Sequence, residues 1–394
     1  MALTSETLPE IQAALVQAGL DGWLLFDFHG SNPIAGGMLG LRGMVTRRVF
    51  GWIPARGNPI AITHAIEQGP WRDWPSAWEK RVYSSWRSLE QHVRECVGGK
   101  KVAMEYSPGD AVPYVDRIPA GVLEMVRTSG GVVISSGELI SRFFARWSTA
   151  QASSHDRAAK VIAGIAREAM ARAGDRARDG KAIAEHELQE WILQQFERAG
   201  LERPDHGPIV AIGPNAANPH YAPSSSRPVP IVAGSMLLID LWAREPNGVY
   251  ADQTWMGSLG APNSRAVEVW TAVREGRDAA IELGKKKLAA GDPLTGAELD
   301  DAARGRITAH GLEQWFTHRT GHSIDPQDLH GAGPHIDNLE TREERRLIDG
   351  VGFSIEPGVY LPGELGVRSE VNARVHGREL IVTPADYQRE LLVV

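Results

Sequence analysis

Glu356 and Glu370 each interrupt a run of apolar or small residues, the first in Ser-Ile-Glu-Pro-Gly-Val-Tyr (354 to 360) and the second in Val-Arg-Ser-Glu-Val-Asn (367 to 372). Glutamate is almost never fully buried without a partner, so whatever these runs fold into must neutralise both carboxylates. If residues 351 to 360 and 366 to 375 form a hairpin turning around Leu361-Pro362-Gly363-Glu364-Leu365, Glu356 falls directly opposite Glu370. Directly opposed side chains in antiparallel strands have Cβ atoms roughly 4.5–5.5 Å apart, and like charges at that spacing repel. A cation between them removes the penalty.

The same pattern recurs upstream. The runs 235 to 242 and 249 to 255 flank Arg244-Glu245-Pro246-Asn247-Gly248, a strong turn signal, and a symmetric loop there sets Asp240 opposite Asp252. A solvated hairpin face accounts for one such pair but not for two in apolar runs. Between them lies His322, Gly-flanked, at the end of His-Arg-Thr-Gly-His (318 to 322). Carboxylates and an imidazole in this combination suit divalent transition ions. In two-metal hydrolases such ions sit about 3.5–4 Å apart and hold an ionised water.

The order Asp240, Asp252, His322, Glu356, Glu370, in its His-Arg-Thr-Gly-His, Glu-Pro-Gly-x-Tyr and Val-Arg-x-Glu contexts, resembles the pita-bread metallopeptidases, especially Xaa-Pro dipeptidases (prolidases) and aminopeptidase P. The likeness covers residues 151 to 394 well and the N-terminal part only by length and position. It implies an α+β fold with a pita-bread catalytic domain over 151 to 394, preceded by a smaller α/β domain over 1 to 150. It further implies two divalent ions per subunit (Mn, Co or Zn) held by those residues, a homodimer, and a small Xaa-Pro dipeptide as substrate. Glu356 is then also the proton shuttle.

Two loop histidines join the candidate site. His220 lies in Ile212-Gly-Pro-Asn-Ala-Ala-Asn-Pro-His-Tyr-Ala-Pro223, too rich in Gly, Pro and Asn for a core element. Alone it reads as a surface or hydrogen-bonded loop residue; the resemblance makes it the histidine that borders the scissile bond. His330 is the second catalytic and substrate-binding candidate, although the chain departs here from the family pattern. It reads Gly321-His-Ser-Ile-Asp325 where relatives read Gly-His-Gly-Ile-Gly, has Gly331 instead of Glu after His330, and carries one extra residue between the histidines. His335 competes with His330 for the role. His318 reads as a structural histidine. Arg368, two residues before Glu370, shares its strand face and either orients carboxylates or receives the free carboxylate of a dipeptide. Tyr360 shares a face with Glu356 and is expected to donate a hydrogen bond in the same catalytic network.

The remaining chain sets bounds. Its 394 residues suggest two or three domains, and a net charge of −7 gives no basic footprint for nucleic acid. The single cysteine, Cys96, excludes an intramolecular disulfide and suits a reducing compartment. The first residues lack the charged and apolar regions of a secretory signal, and no run approaches the ~18 apolar residues of a membrane span, so a cytoplasmic location with no membrane partner is expected. Helical periodicity is expected over 7 to 19 (Leu8, Ile11, Leu15 and Val16 inward), around Val161 to Ala169, over Ile183 to Phe196, and over 265 to 288. Thr295 and Glu298 form a capping-box signal. Strands are expected at 22 to 26, 57 to 63 and 101 to 105. Trp71, Trp74 and Trp78 fall on one helical face and, with Trp86, either pack a helix onto the N-terminal domain or reach an active site, a neighbouring subunit's included. Alternatives to a dipeptidase are aminopeptidase P, a metal-dependent lyase on the same fold, and a non-catalytic binding protein; the intact ligand set argues against the last.

Overall fold

A computed structural model describes residues 2–394, and its chain separates into two units, Met1–Arg146 and Trp147–Val394. In the first unit the order is α1 (Leu8–Gln17), β1 (Gly22–Asp27), α2 (Pro33–Leu39), β2 (Val49–Pro54), β3 (Ile60–His64), β4 (Glu79–Tyr83), α3 (Trp86–Val97), β5 (Lys101–Met104), α4 (Ala120–Thr128), β6 (Val132–Ser135) and α5 (Gly137–Phe143). They build a six-stranded mixed sheet in the order β4-β3-β2-β1-β5-β6. Every residue of β1 is buried, as a central strand requires.

Two expectations in this unit fail. Val16 is 51% exposed, because the α1 stripe is narrower than its apolar residues suggest. Trp71, Trp74 and Trp78 share no helix, since Pro70 and Pro75 leave only a short 3-10 turn at Gly69–Trp71. The three indoles instead stack edge to face, with Trp74 between Trp71 and Trp78 at centroid distances of 5.1 and 5.0 Å and Trp71 buried.

The second unit runs α6 (Thr149–Arg178), α7 (Glu185–Arg198), β7 (Ile209–Ile212), β8 (Met236–Ala243), β9 (Ala251–Ser258), α8 (Ser264–Ala290), α9 (Gly296–Ala309), β10 (Ser323–Ile324), β11 (Gly352–Ile355), β12 (Gly358–Leu361), β13 (Leu365–Arg368), β14 (Val371–His376), β15 (Glu379–Thr383) and β16 (Leu392–Val393). One sheet has the order β16-β9-β8-β7, another β10-β11-β14-β15, and β12 pairs with β13. Helices α6 and α7 bury Ile162, Met170, Leu188 and Phe196 against Leu237, Ile239 and Trp255 of the first sheet. Helices α8 and α9 supply Ile281, Leu299 and Ala303 to a second core with Phe353, Ile355 and Val371. Each half is thus two helices on a sheet; Asp240 and Asp252 lie on strands β8 and β9 of the first sheet, and Glu356 and Glu370 flank strands β11 and β14 of the second. The Thr295 hydroxyl accepts the Glu298 N–H at 3.4 Å and the Glu298 carboxylate accepts the Thr295 N–H at 3.0 Å, so the expected capping box starts α9.

The downstream hairpin has the expected register: Ser354 pairs with Asn372, Ile355 with Val371, and Gly358 with Arg368, so Glu356 and Glu370 oppose each other at the break between the two ladders. The upstream hairpin does not. Asp240 pairs with Thr254 and Asp252 with Trp242, because the turn centres on Asn247, in the left-handed region at φ 60°, rather than on Pro246. A shift of two keeps both aspartates on one face, as diagonal neighbours.

A buried histidine ties α6 to this framework. The His155 ring stacks 4.6 Å from Trp147, Nδ1–H donates to the Tyr250 carbonyl at 2.7 Å, and Nε2 accepts from the Thr383 hydroxyl at 2.8 Å. Burial pushes its pKa down to about 4. The folded ring stays neutral while the unfolded one takes a proton below about 6.5, so its stabilisation is full above that pH and is lost as pH falls toward 4, by about 3 kcal/mol. Melting temperatures measured at pH 7 and pH 5 should therefore fall further in the wild type than in a His155→Gln variant; equal falls would contradict this.

Candidate metal centre

Asp240 projects from β8, Asp252 from β9, Glu356 follows β11, Glu370 stands between β13 and β14, and His322 precedes β10. The structure brings all five together around one cleft of 150 Å³, which is also lined by His220, His330 and Arg368. His322 Nε2 lies 3.4 Å from Asp252 Oδ2 and 3.4 Å from Glu356 Oε1. One donor atom each from Asp252, His322 and Glu370 falls within 4.8 Å of the others. This approach needs glycine at 321, where a Cβ would lie 2.0 Å from the Ser354 carbonyl oxygen.

The imidazole is set as a neutral donor. Its Nδ1–H gives a hydrogen bond to the Ser323 carbonyl at 3.1 Å, leaving the Nε2 lone pair toward the carboxylates, and burial holds its pKa below the usual value. Burial pushes the carboxyl of Asp240 up to about 7, and raises those of Asp252 and Glu370 well above the ordinary range, with neighbouring carboxylates adding to the effect. Asp240 Oδ1, Asp252 Oδ1 and Glu370 Oε1 are buried with no hydrogen-bond partner. Buried acceptors without a donor cost free energy, and converging ones beside a lone pair form the donor set of a cation site.

Behind the cleft a hydrogen-bonded chain holds these groups. Each nitrogen of Arg368 donates to a protein oxygen: Nε to Thr254 Oγ1 at 2.9 Å, Nη1 to the Tyr360 hydroxyl at 3.2 Å, and Nη2 to Asp240 Oδ2. Thr254 in turn donates to Glu370 Oε2 at 2.9 Å. The Tyr360 hydroxyl is engaged by Arg368 and by His318 Nε2 at 2.8 Å, and the His318 Nδ1–H goes to the Arg319 carbonyl. Tyr360 therefore stands behind the arginine, and His318 is the structural histidine expected. Ser354 joins the two sides, accepting the His322 N–H at 2.9 Å and donating to Glu356 Oε1 at 2.9 Å. Sequence spacing alone does not single out Thr254 or Ser354, yet each lies two residues from a carboxylate of the cluster, Asp252 and Glu356, the spacing that puts side chains of extended chain on a common face.

The two loop histidines border the cleft from irregular backbone. His220 is exposed, and its loop is held by buried Glu185, which accepts the Ile212 N–H at 2.8 Å, Asn215 Nδ2 at 3.1 Å and the Tyr221 hydroxyl at 2.6 Å. The ring of His330 lies 4.3 Å from that of His322. His335, its competitor, is fully buried, accepts the Ser323 N–H at 3.2 Å and is not among the residues that line the cleft. Ile209, Pro219, Trp242 and Leu329 give the cleft an apolar side. Among the described residues no helix is long and apolar enough to cross a membrane.

Residues 157–376 match the model of metallopeptidase family M24. The chain is 36% identical over 163 residues to a Xaa-Pro dipeptidase of Lactobacillus helveticus, covering 41% of this chain and 40% of that protein. It thus spans less than half the length of that curated relative. Among solved structures it is similar to dipeptidase PepE from Mycobacterium ulcerans, with a TM-score of 0.74 and 24% identity over 99% of this chain and 97% of that one. A prolidase from Thermococcus sibiricus matches with a TM-score of 0.66 and 23% identity over the whole of both chains. These likenesses extend through both units and show the pita-bread fold with its N-terminal domain.

Proposed function

Since this chain belongs to metallopeptidase family M24, we propose that it hydrolyses the bond before proline in Xaa-Pro dipeptides at a site for two divalent ions. The observation that carries the reading is the gathering of buried carboxylates, three of them with an unpartnered oxygen, around a neutral His322 whose Nε2 lies 3.4 Å from both Asp252 and Glu356. Asp240, Asp252, His322, Glu356 and Glu370 would hold the ions. Bound there, divalent ions supply Lewis acidity, lowering the pKa of water toward neutrality and polarising a carbonyl.

The side chains supply the rest. Burial pushes the Glu356 carboxyl up, but its polar surroundings, the Arg368 guanidinium and the donating Ser354 hydroxyl among them, outweigh it and hold it below the usual range. An ionised carboxylate at the cleft can accept a proton and return it to the leaving nitrogen. His220 and His330 flank the cleft and orient the scissile carbonyl. Arg368, with each nitrogen already donating to protein, positions Asp240 and Thr254 rather than reading a substrate carboxylate. A proline nitrogen in peptide linkage has no N–H, so selection for it rests on shape, and the apolar side formed by Ile209, Pro219, Trp242 and Leu329 offers that surface. The cleft is small beside the roughly 300–1,000 Å³ of drug-sized ligand sites, which favours a dipeptide.

The test is hydrolysis of a Xaa-Pro dipeptide and the matching tripeptide by chelator-stripped protein, with and without Mn²⁺. Dipeptide cleavage restored by metal is expected. Cleavage of the tripeptide would move the reading to an aminopeptidase P, and cleavage of neither would reject it.

A further inference from the structure

We propose that Asp325 is the positioning residue for His330, an inference that rests on the peptidase reading for its catalytic consequence but not for its geometry. Asp325 is 2% exposed. Its carboxylate gathers the loop that follows. Oδ1 accepts the N–H groups of Gln327 and Asp328, both at 2.8 Å, and Oδ2 accepts that of Ala332 at 2.9 Å. One side chain therefore joins the start of the loop to its far end, two residues beyond His330.

The surrounding backbone closes the same ring. The Asp325 N–H donates to the Asp328 carbonyl at 3.1 Å, and the Gly331 N–H to the Ser323 carbonyl at 2.8 Å. Gly331 packs on the carboxylate so closely that a Cβ there would lie 2.6 Å from Asp325 Cγ. The Asp328 side chain accepts the His330 N–H at 3.3 Å. His330 is thus clamped on both sides in this loop, with its ring 4.3 Å from that of His322 and Leu329 turned to the cleft. Three backbone donors converge on one acceptor-only group, an arrangement that an amide, with one oxygen and a donor NH₂, cannot reproduce.

The test compares wild type, Asp325→Asn, His330→Ala and the double variant, all loaded with Mn²⁺, on a Xaa-Pro dipeptide. Asp325→Asn should lower kcat by about 10- to 100-fold, the cost of misplacing a group at the reacting centre, with bound metal unchanged. In the His330→Ala background the same substitution should cost nothing further. Hydrogen exchange supplies a readout independent of activity: the amides of Gln327, Asp328 and Ala332 should exchange faster in Asp325→Asn while those of β8 and β9 keep their protection. Unchanged kcat, an undiminished cost in the His330→Ala background, or unaltered loop exchange would each overturn the proposal. Wild-type protein that cleaves no Xaa-Pro bond would reject the peptidase reading, and the exchange result would still decide whether Asp325 holds the loop.

Discussion

Asp252→Asn and Glu370→Gln are expected to lower metal-dependent kcat/KM by about 10³-fold, the scale of removing one group that stabilises the transition state, and yet to unfold at higher temperature than wild type when all are stripped of metal. Both carboxyls are buried, and both are pushed well above the ordinary range by that burial and by the neighbouring carboxylates. In metal-free protein near neutral pH these groups carry a desolvation and repulsion cost that a neutral amide of similar shape removes, about 1–4 kcal/mol. Metal inverts the order, because an ion present at 100 times its Kd stabilises the wild type by about 2.7 kcal/mol. Thermal unfolding with and without Mn²⁺ checks both halves. Stripped variants less stable than stripped wild type would show that these carboxylates are satisfied without a cation.

The second large effect is expected from Glu356→Gln. Its carboxylate is held in the ionised form against burial by polar surroundings that include the Arg368 guanidinium and the Ser354 hydroxyl, so the charge is available for proton transfer. An amide keeps the size and removes the basicity, and kcat is expected to fall by about 10²- to 10⁴-fold. The group formed by Asp252, His322 and Glu370 remains, so the variant should still bind metal. Single-turnover rates read beside metal content separate the two roles: a variant that binds metal and turns over normally would remove Glu356 from the chemistry.

How much of this was legible depended on local geometry. The downstream hairpin could be read because its loop is symmetric about Gly363, so Glu356 falls opposite Glu370. The upstream loop is also symmetric, but about Asn247, whose left-handed backbone no hydrophobic pattern reports; the face of Asp240 and Asp252 was readable and their partners were not. Apolar spacing placed the long helices, whereas the tryptophan cluster carried the same spacing without a helix, because Pro70 and Pro75 override it. Asp325 looked only like a departure from a pattern. Its purpose is visible once the three N–H groups it accepts are seen in space.

The most direct measurement is calorimetric titration of chelator-stripped protein with Mn²⁺. A site built from these carboxylates and His322 should take up two ions per chain and release protons as the raised carboxyls ionise. Uptake of one ion or none would contradict the two-metal centre.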